Sequence, residues 1–330
     1  MIEVHNLAKK YGNIEAVKDI TFTLPDGQIL GFLGPNGAGK TTIMKILTGF
    51  HYPSSGEALI DGISTQDNPV AIKQLIGYLP ENVPLYGDLT INEYLNFIAD
   101  TRNIPKEKRK NAINAALEQC ALTQMANRRI ETLSKGYKQR TGLAQSIIHD
   151  PPILILDEPT TGLDPNQIIE IRNLIKDLGQ HKTIILSTHI LQEVEAVCTQ
   201  VLILNAGHIA AQGSPSGIAS SLRGGESWTL TLKGAAAPDT IEHRLRTSSI
   251  NHNNKIEISN INTTTDAANN NTTHAAFVIP ANDENAERIF NWAISLNLKI
   301  LEMSKKKISL EDIFVKLTNS AQQNEAQHGK

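Results

Sequence analysis

The hydrophobic pattern changes its rhythm along the chain, and the changes divide it into parts. Ile2-Glu3-Val4 and Ile20-Thr21-Phe22-Thr23-Leu24 read as early strands, and Pro25-Asp26-Gly27 is a turn. Gln28–Leu33 is a short, mostly apolar strand, and Lys40–Thr48 is a helix former free of Pro and Gly. Between Tyr78 and about Asn127 the strand signal disappears. There Thr90-Ile91-Asn92-Glu93 forms a capping box that opens a helix with Ile91, Leu95 and Ile98 on one side. A second helix is expected over Lys106–Cys120. Strand signal returns at Pro152–Leu156 and Thr183–Ser187, both apolar without polar alternation, as in buried parallel strands. Alternating strands and helices over residues 1–222 indicate an α/β domain with a largely parallel sheet, interrupted by a helical insertion at about 82–135.

Gly213-Ser214-Pro215-Ser216-Gly217 and Arg223-Gly224-Gly225-Glu226 are turn and linker chemistry, so a boundary is expected near 222. Beyond it Trp228, Leu230 and Leu232 alternate with polar residues, as do Ile256 and Ile258. Ala276–Ile279 and Leu298–Leu301 are two further short strands. Asp239–Arg246 reads as a helix, and Ala286, Ile289, Phe290, Ala293 and Ile294 have the spacing of a helix face. The order β-α-β-β-α-β over 223–330 resembles a small ferredoxin-like α+β unit. Asn260–His274, rich in Asn and Thr, has little to bury and is expected to be a mobile loop. Asn262-Thr263-Thr264 and Asn271-Thr272-Thr273 match the glycosylation acceptor pattern, but in a chain expected to stay in the cytoplasm they read as ordinary polar residues.

The 330 residues are 40% hydrophobic and 20% charged, enough to bury a real core, and a net charge of −3 excludes a general polyanion-binding role. No apolar run approaches the ~18–20 residues that span a bilayer. The first residues lack a basic, then apolar, leader. The expectation is a cytoplasmic protein whose membrane role, if any, depends on a partner chain. Cys120 and Cys198 stand apart from any metal-type cluster and read as reduced, packed thiols.

The chemistry begins at Gly34-Pro35-Asn36-Gly37-Ala38-Gly39-Lys40-Thr41, which fits G-x-x-x-x-G-K-[ST] between a strand and a helix. In such a loop successive backbone N–H groups cradle phosphates, Lys40 reaches the β- and γ-phosphates, and the Thr41 hydroxyl holds Mg²⁺. Ile153-Leu154-Ile155-Leu156-Asp157-Glu158 is an apolar strand ending in two carboxylates. Asp157 is placed to hold Mg²⁺ and Glu158 to act as general base toward water. Pro159-Thr160-Thr161-Gly162-Leu163-Asp164 follows directly.

Leu133-Ser134-Lys135-Gly136-Tyr137-Lys138-Gln139-Arg140 resembles the signature motif of ATP-binding cassette (ABC) ATPases, usually written LSGGQ. With the loop at 34–42, the strand through Asp157 and Leu186-Ser187-Thr188-His189-Ile190, the segments occur in that family's order and spacing over about residues 1–220. The resemblance is strongest to ATPase subunits of ABC-2-type exporters. Tyr78-Leu79-Pro80-Glu81, the Lys-Gly-Tyr signature, Gly162–Gln167 and Ser309–Phe314 are similar to the gliding-motility-associated branch.

The resemblance implies the fold, a P-loop NTPase cassette, and roles position by position. Tyr11 falls where an aromatic stacks on adenine, or it packs locally at a strand end. Thr42 completes the phosphate loop, and Asp164 matches the D-loop acid. His189 matches the switch histidine that senses the γ-phosphate. Glu81 stands where the family usually has Gln; its carboxylate can still accept from water and approach Mg²⁺, whereas Asn82 is a poorer substitute. Lys135 and Tyr137 replace a Gly and the Gln of the signature, while Ser134 and Gly136 are retained to meet a γ-phosphate. One phosphate loop and one signature per chain imply two chains, sandwiching two Mg²⁺–ATP in a C₂ homodimer or with a paired ABC subunit. A polytopic permease is the implied membrane partner. Pro84-Leu85-Tyr86 either contacts it or caps the core of the insertion. No nucleic acid partner is expected. The competing readings are a soluble ABC ATPase acting on ribosomes or nucleic acid, and a nucleotide-binding regulator.

Overall fold

The computed structural model describes residues 1–221, 226–233, 238–247, 257–265, 271–279 and 284–306. The first strands are β1 (Ile2–Tyr11), β2 (Ile14–Leu24) and β3 (Ile29–Leu33), followed by helix α1 (Lys40–Leu47). Then come β4 (Ser55–Ile60), β5 (Ile63–Ser64), α2 (Pro69–Leu75) and β6 (Ile76–Leu79). The insertion supplies α3 (Ile91–Thr101) and α4 (Lys106–Gln119), two 3₁₀ turns, and leads into α5 (Lys135–Ile147). The α/β pattern resumes with β7 (Ile153–Asp157), α6 (Pro165–Gly179), β8 (Thr183–Thr188), α7 (Leu191–Val197), β9 (Gln200–Asn205), β10 (His208–Gly213) and α8 (Pro215–Ser221).

Two sheets result. One has the order β10-β9-β3-β8-β7-β6 and is parallel except at its β10 edge. Every residue of β3, β7 and β8 is buried, as the continuous apolar runs require when helices cover both faces. The other sheet, β2-β1-β4-β5, is antiparallel. The largely parallel sheet expected from the sequence is present, and the antiparallel sheet is an addition to it. Buried and exposed residues alternate in β2 from Ile20 to Leu24, which marks a sheet with one wet face.

Helix α1 lies between the sheets, touching β2 and β4 on one side and β7 on the other. Its Ile43, Met44, Ile46 and Leu47 share one apolar cluster with Val4 and Phe22 of the first sheet and Phe32 and Ile155 of the second. Each such side chain contributes about 1.5–3 kcal/mol on burial. The helix that carries Lys40 at its first position is thus held rigidly.

In the insertion, the expected capping box is present. Thr90 Oγ1 accepts from Glu93 N–H, and Glu93 Oε2 accepts from Thr90 N–H at 2.8 Å. Helix α5 then returns to the main sheet against β6. The approach is close enough that a Cβ on Gly77 would fall 2.1 Å from the Ser146 carbonyl oxygen. Cys120 and Cys198 are buried free thiols, and burial pushes both up to about 12, which keeps them protonated and unreactive.

The chain divides into two compact units between Pro215 and Ser216, slightly before the expected boundary. The second unit contains β11 (Glu226–Lys233), α9 (Pro238–Thr247), β12 (Glu257–Thr265), β13 (Asn271–Ile279), α10 (Asn285–Ser295) and β14 (Lys299–Lys306). Its sheet order, β12-β13-β11-β14, is antiparallel throughout and is the split β-α-β arrangement expected from the sequence. Trp228, Leu230, Leu232, Phe277, Ile289 and Ala293 form its core.

The mobile loop expected at 260–274 is a correction. Its flanks are strand, with Asn260 opposite Ala276 and Thr263 opposite Thr273, while residues 266–270 lie outside the described set. Threonine is β-branched and fits a pleated edge strand, and Ile261 supplies an apolar anchor to the core. The expected Ser309–Phe314 segment lies outside the described residues.

All the motif residues precede position 190. A fragment ending near Leu222 should therefore remain folded and bind Mg²⁺–ATP with the affinity of the full chain, as read by calorimetry. A folded fragment without binding would show that the second unit supports the nucleotide site.

Candidate nucleotide and hydrolysis site

The site is built where central strands of the parallel sheet end. Strand β3 runs into the loop Gly34–Gly39, and α1 begins at Lys40. Gly37 (φ +83°) and Gly39 (φ +103°) take a backbone conformation that L side chains resist. Space is closed as well, because a Cβ on Gly39 would lie 2.7 Å from the Ala16 carbonyl oxygen. The Lys40 side chain is buried, and its ammonium donates to the carbonyls of Gly34 at 2.7 Å and Pro35 at 3.2 Å. Glu158 Oε1 is 3.5 Å from the same nitrogen. The cation thus folds back into the hollow of its own loop.

Strands β7 and β8 bring the acids alongside. Their pairing ends with Asp157 opposite Ser187. Ser187 Oγ donates to Asp157 Oδ1 at 2.5 Å, and Thr41 Oγ1 donates to the same oxygen at 3.3 Å. Asp157 Oδ2 is buried with no hydrogen-bond partner. One carboxylate oxygen beside a hydroxyl is the hard-oxygen donor set that Mg²⁺ takes, its other positions being filled by phosphate and water. The residues present fit that ion.

Glu158 sits at φ +48°, a conformation rare for a non-glycine residue. Its N–H donates to Ser187 Oγ at 2.9 Å. Its Oε2 accepts from Thr161 Oγ1 at 3.1 Å and lies 3.0 Å from His189 Nδ1. The acid and the histidine are therefore in direct contact. Ser187 and Thr161 were not singled out in the sequence; the signal was a Ser-Thr pair closing an otherwise apolar strand, and a second Thr after the acidic pair.

Lys40, Thr41, Glu158, Thr161 and His189 line a cleft of about 640 Å³, with Asp157 buried behind Thr41. Tyr11, from the end of β1, lines it too, with its ring edge-on to His51 at 5.8 Å and Lys9 Nζ 5.1 Å from its centroid. Thr42 and the exposed Glu81 complete the wall. Glu81 also lines a second hollow of about 420 Å³, shared with Leu85, Lys135 and Gln139. It thus stands where the nucleotide cleft meets the helical insertion. Burial raises the Tyr78 phenol above its usual value, and the charges of Asp157 and Glu81 raise it further.

The remaining predicted residues lie elsewhere. Ser134 caps α5, accepting from Tyr137 N–H, and Asp164 caps α6, accepting from Gln167 N–H at 3.0 Å. Lys135 Nζ rests against Gly162, and Gln167 packs against Gly136. None of Ser134, Lys135, Gly136, Tyr137 and Asp164 lines the cleft. Pro84 and Leu85 lead to Tyr86, whose exposed ring meets Phe97 at 5.5 Å and Tyr94 at 6.1 Å.

A phosphate loop, a strained glutamate and a histidine lining one cleft, with a metal-type carboxylate directly behind Thr41, define a nucleotide hydrolase, and comparison with known proteins agrees. The family profile described as ABC transporter matches residues 17–161. The uncharacterized ABC transporter ATP-binding protein YxlF of Bacillus subtilis (strain 168) is 32% identical over 321 residues, covering 97% of this chain and 100% of its own. The linearmycin resistance ATP-binding protein LnrL of the same organism is 30% identical over 319 residues, covering 96% and 98%. Among solved structures, the dimeric post-hydrolysis state of the ATP-binding cassette MJ0796 bound to ADP and Pi superposes with a TM-score of 0.60 at 27% identity, over 65% of this chain and 98% of that one. The chain belongs to the ABC transporter ATP-binding proteins: it is an ABC ATPase and the ATP-binding subunit of an ABC transporter. No helix among the described residues is long and apolar enough to cross a membrane.

Proposed function

We propose that this chain is the ATP-hydrolysing subunit of an ABC-2-type exporter, similar to the gliding-motility-associated branch, acting at the cytoplasmic face of the membrane on a separate polytopic permease. The observation that carries the reading is the division of the machinery. The cleft gathers the phosphate loop, Glu158 and His189, whereas Ser134 is exposed outside it and Gly136, in the first turn of α5, is buried against Gln167. An open cleft and a signature serine exposed outside it are complementary halves, so two copies, or one copy and a paired cassette, complete two sites by C₂ symmetry. The relative named for linearmycin resistance supports export.

In this mechanism Lys40 leaves the Gly34 and Pro35 carbonyls for the phosphates, and backbone N–H groups of the loop help to hold them. Asp157 and Thr41 hold Mg²⁺, which when bound offsets phosphate charge and orients the nucleotide. Tyr11 stacks on the base. Glu158, oriented by Thr161 and His189, takes the proton of the attacking water. Glu81 reports the state of the site to the insertion, where Leu85 and Tyr86 meet the permease.

Purification of the tagged chain from its native membranes tests this. Recovery of a polytopic membrane protein whose presence raises ATP turnover supports it. Recovery with ribosomes or nucleic acid, or an ATP-binding chain without hydrolysis, overturns it. The Glu81 role has its own outcome. Glu81→Gln restores the residue usual in the family and should keep substantial ATPase activity, while Glu81→Ala should lose more. Equal damage from both would show that the charge itself is required, and two harmless changes would remove Glu81 from the mechanism.

A further inference from the structure

Glu193, near the start of α7, belongs to none of the motifs above, yet only 3% of it is exposed. A carboxylate withdrawn from water must be met by donors, and its donors here are specific. Oε1 accepts from Thr160 Oγ1 at 2.5 Å, and Oε2 accepts from Thr188 Oγ1 at 2.7 Å. Arg172 of α6 approaches only to 3.7 Å. Both threonines are buried. Thr160 lies two residues after Glu158, and Thr188 directly precedes His189. The pairing of β7 with β8 stops at Asp157 and Ser187, so no strand ladder fixes Glu158 and His189 relative to each other. Beyond the Glu158 N–H to Ser187 Oγ bond, the carboxylate of Glu193 joins the turn after β7 to Thr188, the last residue of β8.

We propose that Glu193 is a positioning residue of the hydrolysis site, a clip between the turn at 158–161 and the end of β8 at Thr188 that holds Glu158 against His189. Arg172 is too far to hydrogen-bond, so the two hydroxyls are what meets the buried carboxylate. Each oxygen accepts from a different segment, Thr160 just after Glu158 and Thr188 just before His189. The inference rests on Glu158 acting as the base.

The test is a double-mutant cycle in the full-length chain, with rates expressed per ATP-binding site. Thr160→Val keeps the shape and removes one hydroxyl from the clip. It should leave ATP affinity unchanged and lower kcat by up to about 10²-fold, the scale of a misplacement of about 1 Å. Thr160→Ser, which restores the hydroxyl, should restore the rate. In single-turnover measurements on Glu158→Gln, adding Thr160→Val should lower the residual rate no further, because the clip acts through the base already removed. An equal loss in both backgrounds, an unchanged kcat for Thr160→Val, or no rescue by Thr160→Ser overturns the proposal. Wild-type turnover by Glu158→Gln alone overturns the base assignment instead. If Thr160→Val does not fold, Glu193→Gln carries the same cycle, since an amide keeps the shape but cannot accept from both hydroxyls through oxygen.

Discussion

Replacing Lys40 with alanine is expected to weaken Mg²⁺–ATP binding by about 10²-fold or more, with loss of steady-state turnover. The size follows from what the ammonium does. It is buried at the mouth of α1, with the carbonyls of Gly34 and Pro35 and the Glu158 carboxylate as its partners. Exchanging those partners for phosphate oxygens forms charge-assisted hydrogen bonds, each about 1.5–3 kcal/mol in a site from which water is largely removed. Losing two corresponds to at least two decades in Kd at about 1.4 kcal/mol per decade. The change also leaves Glu158 Oε1 beside no cation, so the thermal midpoint should be recorded with the affinity. A folded variant with near-normal affinity and turnover would remove the phosphate-loop assignment.

What the sequence made legible follows from how locally each feature is encoded. The phosphate loop, the fully apolar strands β3, β7 and β8, and the capping box at Thr90–Glu93 are each specified by neighbouring residues. The β-α-β-β-α-β order of the second unit was legible for the same reason. Strands β4, β6, β9 and β10 were not singled out. Gly77 weakens the β signal of β6 and is present because α5 passes too close for a side chain. Thr263 and Thr273 look like loop residues until a strand partner is known. In the site, the residue types of Asp157, Glu158 and His189 announced chemistry, but the hydroxyls that orient them did not. Ser187, Thr161, Thr160 and Thr188 gain meaning only from the side-by-side ends of β7 and β8. Glu193 was hidden in a short helix beside Gln192 and Glu195, where an acid reads as surface until its burial is seen.

The variant Glu158→Gln tests hydrolysis and assembly together. Glutamine keeps the length of the side chain and can still accept from Thr161, but it cannot take a proton from water. Loss of a positioned base costs about 10²–10⁴-fold in rate. Binding should survive, because Lys40, Thr41 and Asp157 still meet the nucleotide, and loss of the Glu158 charge releases Lys40 from one of its present partners. ATP then persists in the cleft while a second chain supplies Ser134 and Gly136 to its γ-phosphate. The closed dimer should accumulate with ATP and Mg²⁺ and separate with ADP, as read by light scattering on size-exclusion fractions. Rapid hydrolysis by this variant would take Glu158 out of the base role. Slow hydrolysis with a strictly monomeric ATP-bound chain would instead count against the shared site. Repeating the measurement with the co-purified permease then asks whether closure depends on that partner: dimers that form only in its presence support the proposed permease contact at Leu85 and Tyr86, and Tyr86→Ala should then abolish the effect without altering ATP binding by the isolated chain.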